Sequence, residues 1–137
     1  MKKSWLILAV VAVAVPVVAA ASQGETPKIK DVMAKLHKGS KSQSAVLKAQ
    51  AEAKTPDWDA IGKTTKDFVI LGAALEKNDP PQGEKASWKK LADKYFGDAK
   101  ALDDAASAHD IEALKAAQKS MNASCKACHT AHRPPAK

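Results

Sequence analysis

The stretch from Asp110 to Arg133, DIEALKAAQKSMNASCKACHTAHR, reads as one amphipathic helix. Asp110 is a fair N-cap, and Ile111, Leu114, Met121, Cys125 and Cys128 recur at helical spacing before Pro134 and Pro135 stop the pattern. Working back along the chain, Trp88, Leu91, Tyr95, Ala99 and Leu102 mark another helical face, and residues 78–83 (NDPPQG) form a loop before it. Asp57 opens an earlier helix that carries Ile61, Phe68, Leu71 and Leu75. Ile29, Val32, Met33 and Leu36 make a further stripe that ends near Gly39, and a helical pattern resumes from Ala45 to Ala53. The pattern leaves open whether these two pieces form one long irregular helix. No segment alternates with period two over a useful length, so strands are not supported. The spacing predicts an all-α, antiparallel four-helix bundle over residues 22–137, a single domain.

The chemistry sits at the end of the last helix. Cys125-Lys126-Ala127-Cys128-His129 is a C-x-x-C-H sequence, the attachment pattern for c-type haem. Two thiols one helical turn apart can reach the two vinyl groups on one porphyrin edge, and the next histidine is then held under the ring, facing iron. Other readings use the same residues. A redox cysteine pair belongs near a βαβ unit, which this chain lacks. Zinc bound by Cys125, Cys128, His129 and His132 would place all four ligands on one helical stretch, where zinc sites more often use turns.

With this motif close to the C-terminus of a four-helix bundle, the chain resembles the class II c-type cytochromes, the cytochrome c′ group and its six-coordinate relatives. The resemblance rests on residues 110–133, including Arg133 after the histidine, and on Ser87-Trp88 to Tyr95 for the third helix. The break between Gly39 and Ser44 departs from the family's uninterrupted first helix. The resemblance implies one haem c, with Cys125 and Cys128 as thioether anchors and His129 as the proximal iron ligand. It further implies that Met33 supplies the sixth ligand, a soft thioether that raises the potential relative to two histidines. A methionine in an apolar stripe is otherwise ordinary core. His37, one turn on, is a second candidate, though a histidine flanked by lysines near a helix end is ordinarily a surface residue. An empty sixth position would suit nitric oxide or carbon monoxide, as in cytochrome c′ itself. Arg133 lies four residues after His129 and is expected on the same helical face, where a guanidinium can pair with a haem propionate or complement the helix dipole. Met121 is expected in the core, His132 and His109 at the surface, and Trp58, Trp88, Tyr95 and Phe96 in packing roles. The function implied is that of an electron carrier rather than an enzyme. The family also implies a possible homodimer through the first two helices.

Export is expected from the other end of the chain. Lys2 and Lys3 precede the apolar run Trp5–Val15, and Ala19-Ala20-Ala21 supplies small residues for cleavage after Ala20 or Ala21. The alternative is a retained anchor, but the apolar stretch is interrupted by Pro16 and short for a span. Residues 1–21 are therefore expected to be a secretory signal peptide, giving a periplasmic protein without stable membrane insertion. Covalent haem attachment also takes place outside the cytoplasm, so the two signals agree.

Removing Lys2 and Lys3 from 22 basic and 15 acidic residues leaves a net charge of +5. Lysines are spread along the chain and Arg133 is the single arginine, so the clustered basic and aromatic pattern of a nucleic-acid binder is missing. A mildly basic surface instead suits a redox partner protein of acidic character.

Composition adds one more expectation. Beyond residue 21 the chain has 45 apolar residues, of which 22 are alanine, leaving 23 with real bulk for a core. Alanine-lined helices would leave room for a large flat cofactor that supplies the missing bulk. Replacing Cys125 and Cys128 together with alanine should therefore abolish cooperative thermal unfolding; a sharp transition in that variant, followed by circular dichroism, would contradict it.

Overall fold

The computed structural model describes residues 24–135, so the signal-peptide reading of residues 1–21 and its cleavage site lies outside the described residues. Among the described residues there are five helices and no strand: α1 (Ile29–His37), α2 (Gln43–Ala51), α3 (Trp58–Glu76), α4 (Lys85–Ser107) and α5 (Ile111–His132). None of these helices is long and apolar enough to cross a membrane. The expected all-α bundle is the observed fold, with five helices where four were expected. The first segment is broken in two, and the reason is local. Gly39 takes a left-handed conformation (φ 83°), which favours glycine, and Ser42 then caps α2 by accepting from Ala45 N at 3.3 Å.

The other helix starts follow the sequence closely. Asp57 accepts from Ala60 N and Asp110 accepts from Ala113 N, each at 2.9 Å, so both expected caps are made. Only three residues, Ala108, His109 and Asp110, separate α4 from α5. Here Asp110 N donates to Ala105 O at 2.9 Å and His109 N to Ala106 O at 3.1 Å, a Schellman ending with His109 in the left-handed region (φ 54°). The Trp58 indole stacks on the His109 ring at 4.8 Å and 12°, holding this unusual backbone from α3.

Such a short link folds α5 back antiparallel along α4. Thr65 Oγ1 donates to Asp103 Oδ1 at 2.7 Å, pairing the start of α3 with the end of α4. Further along the same pair, Gly72 faces Tyr95 and Ala99. Antiparallel α1 is tied to α3 by the Lys35–Asp67 ion pair at 3.0 Å, and α2 touches α5 where Gln118 Nε2 donates to Ser44 O at 3.4 Å. The shared core draws on every helix: Val32 and Leu36, Leu47, Ile61 and Phe68, Trp88 and Leu102, Leu114 and Met121. Met121 is core, as expected, at 2% exposure.

Among the described residues, seven of the eighteen buried apolar residues are alanine. The alanine-lined groove, about 600 Å³, lies between α4 and α5 beside Ala101, Ala105, Ala113 and Ala117. A smaller groove of about 280 Å³ lies between α2 and α5, and neither includes Cys125, Cys128 or His129.

Packing makes opposite demands at two positions. Leu36 is fully buried, so Leu36→Ala should cost about 2–5 kcal/mol in urea unfolding through lost burial and a cavity. A Cβ on Gly72 would meet Ala99 and Tyr95 at 3.5 Å, ordinary contact, so Gly72→Ala should instead add up to about 1 kcal/mol by helix propensity.

Candidate functional site

Along α5 the buried stripe passes through Leu114, Ala117 and Met121, and continues with half-buried Cys125 and Cys128 to buried His132. His129 falls off this stripe and is exposed. The motif therefore straddles the edge of the core: Cys128 packs against the apolar cluster, while the imidazole beside it faces outward. Both cysteines are free thiols. Burial pushes the Cys128 thiol up, with the neighbouring Cys125 adding to the shift. Burial likewise raises Cys125; a backbone hydrogen bond opposes this in part, and Asp98 reinforces it. The Cys125 Sγ lies 3.5 Å from Met121 O. Reactive C-x-x-C pairs have the reverse property, a lowered thiol pKa, so this environment does not favour a thiol redox pair.

The bundle brings two distant residues to this edge. His37, at the end of α1, places Nε2 2.7 Å from the Tyr95 hydroxyl and Nδ1 2.8 Å from Ser44 Oγ. Its ring is also edge-on to Phe68 at 5.8 Å. Burial lowers its pKa, and the charge of His129 lowers it further. Burial raises Tyr95 well above the usual tyrosine range, with Cys125 and then Asp98 contributing. The end of α1, the middle of α4 and the C-x-x-C-H turn of α5 thus lie close enough to sense one another's charge. The sequence reading of His37 as a surface residue is corrected: its ring is partly buried and both nitrogens are engaged.

Met33 is half-buried one turn before His37 and packs against the core with Ile29. Arg133 is exposed and caps α5 with extended backbone (φ −85°, ψ 121°), because the helix ends at His132. Its N–H donates to His129 O at 3.1 Å, so it stays tied to the His129 turn, but helical spacing no longer aims its side chain. Phe96 is partly buried beneath Lys100 Nζ, which lies 4.8 Å from the ring centroid.

His132 is the residue that sequence reasoning misplaced. Expected at the surface, it is 2% exposed, with Nδ1 2.8 Å from Gln82 O and Nε2 3.2 Å from Ser87 Oγ. Its position on the Leu114–Met121–Cys125–Cys128 stripe was the available signal. A histidine at a helix end looks polar, and that outweighed its register. His109 is exposed, as expected.

The donor set suits haem better than a bare ion. Among the described residues no three His, Cys, Asp or Glu side chains group as a metal site, and a bare zinc ion needs three or four such donors. A porphyrin brings its own four nitrogens and asks the protein for one or two. Next to the motif's last turn, Trp88 sets its ring edge-on to His132 at 5.4 Å. Its buried Nε1–H has no partner among the described residues, a spare donor of the kind that a propionate can use.

Residues 83–133, which run from Gly83 through α4 and α5 to Arg133, match the family model described as Cytochrome C'. The match, over less than half of the chain, likens this segment to the class II c-type cytochromes. It takes in the whole hairpin that carries the motif and leaves α1, α2 and α3 outside. No curated protein and no solved structure gives a significant match to the chain.

The His37 shift has a pH consequence. Because burial disfavours the charged ring, the unfolded chain takes up this proton more readily than the folded protein. Stability should then be unaffected by His37 above its ordinary 6.5 and fall as pH drops below it. His37→Gln should flatten that acid limb when thermal midpoints are compared across pH; an unchanged slope would show that His37 does not contribute to it.

Proposed function

We propose that this protein is an exported, periplasmic class II cytochrome that holds one covalent haem c and carries single electrons between redox proteins. The observation that carries the reading is the C-x-x-C-H turn at the core edge of α5, within the segment that matches the Cytochrome C' family. Bound there, haem would supply a reversible one-electron change between ferric and ferrous iron. The chain's residues do the rest. Cys125 and Cys128 are protonated thiols on one helical face, suited to tether a porphyrin edge through two thioethers. His129 offers an exposed imidazole from the turn between them and the helix end. Met33 on α1 would offer a thioether as a second protein ligand to the haem. Arg133, tied to the His129 carbonyl, and the unpaired indole of Trp88 are candidate donors to the propionates.

The bundle would keep such a carrier stiff. Residues of α1, α2 and α4 meet through the Ser44–His37–Tyr95 hydrogen bonds, which give these polar groups fixed partners. Few groups then need to move when the charge changes. Lysines scattered over the surface would speed encounter with an acidic redox partner, less so as salt rises. Export through the N-terminal signal is part of the same proposal, since c-type attachment is carried out beyond the cytoplasm.

The family description also favours a second reading, a haem protein with an open sixth position that binds nitric oxide or carbon monoxide. The two readings part at Met33. In the carrier, ferric spectra are low-spin and six-coordinate, and Met33→Ala should turn them high-spin and five-coordinate while lowering the potential. An unchanged spectrum would remove Met33 from iron. A high-spin wild-type protein would favour the gas-binding reading, and a pyridine spectrum without a haem c signal, in a host that matures c-type cytochromes, would overturn both.

A further inference from the structure

The last turn of α5 is held more tightly than a C-x-x-C-H tether requires. His132 is buried, and its Nδ1 faces the Gln82 carbonyl, which can only accept. Nδ1 therefore carries the proton and donates at 2.8 Å, leaving Nε2 to accept from the Ser87 hydroxyl at 3.2 Å. One neutral tautomer satisfies the ring at both nitrogens. The loop backbone is pressed against the same turn. Gly83 has φ 79°, and a Cβ there would stand 2.8 Å from Ala131 O and 2.9 Å from His132 Nδ1. Gln82 Nε2 donates to Arg133 O at 2.9 Å, while Arg133 N donates to His129 O at 3.1 Å. An unbroken run of contacts thus leads from the α3–α4 loop to the backbone of His129.

We propose that His132 is a positioning residue for the iron ligand, clamping the final turn of α5 to the α3–α4 loop so that the His129 imidazole is presented in one orientation. The inference rests on His129 being the haem ligand. Its physical basis is that a helix end leaves its last carbonyls without intrahelical partners and frays. An exposed ligand on such a turn would sample several orientations, and a metal's electronic state follows the orientation of its ligands. Histidine does what phenylalanine could not. A phenyl ring would fill the space but leave the Gln82 carbonyl and the Ser87 hydroxyl without their partner.

The test uses the haem-loaded protein and three variants. His132→Phe keeps bulk and removes both ring hydrogen bonds. His132→Asn keeps a donor close to the place of Nδ1. Thr65→Ala is a stability control: it removes the buried hydroxyl bonded to Asp103, a contact about 22 Å along α4 from Trp88. Haem content is first fixed by the pyridine spectrum. His132→Phe should then show a ferric paramagnetic resonance signal split or broadened into more than one species. Its potential should shift, and the Arg133 amide should exchange on the order of tenfold faster or more. His132→Asn should recover most of the single-species signal. Thr65→Ala should lower the thermal midpoint with signal and potential unchanged. If His132→Phe does not fold, Ser87→Ala, which loses only the Nε2 contact, should move the signal in the same direction. A fully loaded His132→Phe with wild-type signal and potential would overturn the proposal. So would a Thr65→Ala variant that disturbs the signal equally. A wild-type protein without covalent haem would overturn the haem reading instead, before any variant is compared.

Discussion

The antiparallel closure of α5 onto α4 is the constraint on which the rest of the structure depends. Three linking residues leave the chain no length to wander, and the Schellman ending at Ala105–Asp110 turns it back at once. From there a single buried stripe runs down α5 to His132. Because the helices are antiparallel, the far end of α5 returns to the start of α4 and to the loop before it. The C-x-x-C-H turn is therefore anchored at the end of the bundle where Gln82, Gly83, Ser87 and Trp88 lie. Small side chains allow this closeness. Ala99, with no exposure, faces Gly72 on α3, and Ala105 and Ala117 line the contact with α5.

A second consequence is the separation of roles at the motif. Helical register turns Cys128 toward the core and His129 away from it, so in the proposed carrier anchoring and ligation would fall to different faces of one turn. Two histidines that approach this edge are fully paired, while among the described residues the Trp88 Nε1–H is not. His37 is held between Ser44 and Tyr95, and His132 between Gln82 and Ser87. Two histidines with both nitrogens engaged, on either side of an exposed third, leave His129 as the imidazole of the group that faces solvent.

Much of the fold was legible because it is written locally. Asp57 and Asp110 cap the helices expected of them, since a cap needs only the amide three residues on. The break after α1 was visible at Gly39, and Ser42 explains why a new helix starts rather than the old one resuming. Two histidines were misread for one reason. His37 looked exposed between lysines, and its partner Tyr95 lies 58 residues away. His132 looked like a polar helix end, and its partner Gln82 lies 50 residues away. No local pattern reports a hydrogen bond across such a distance.

The sequence by itself determined the all-α class, the helix starts at Asp57 and Asp110, the C-x-x-C-H motif and its register on α5. These depend on periodicity and on interactions a few residues long. Only the tertiary structure decided which end of the bundle closes over the motif, which histidines are buried, and what holds the final turn in place. Those are set by the contact of α1 with α4 and by the packing of α4 and the α3–α4 loop against α5, where desolvation pairs His37 and His132 with residues 58 and 50 positions away.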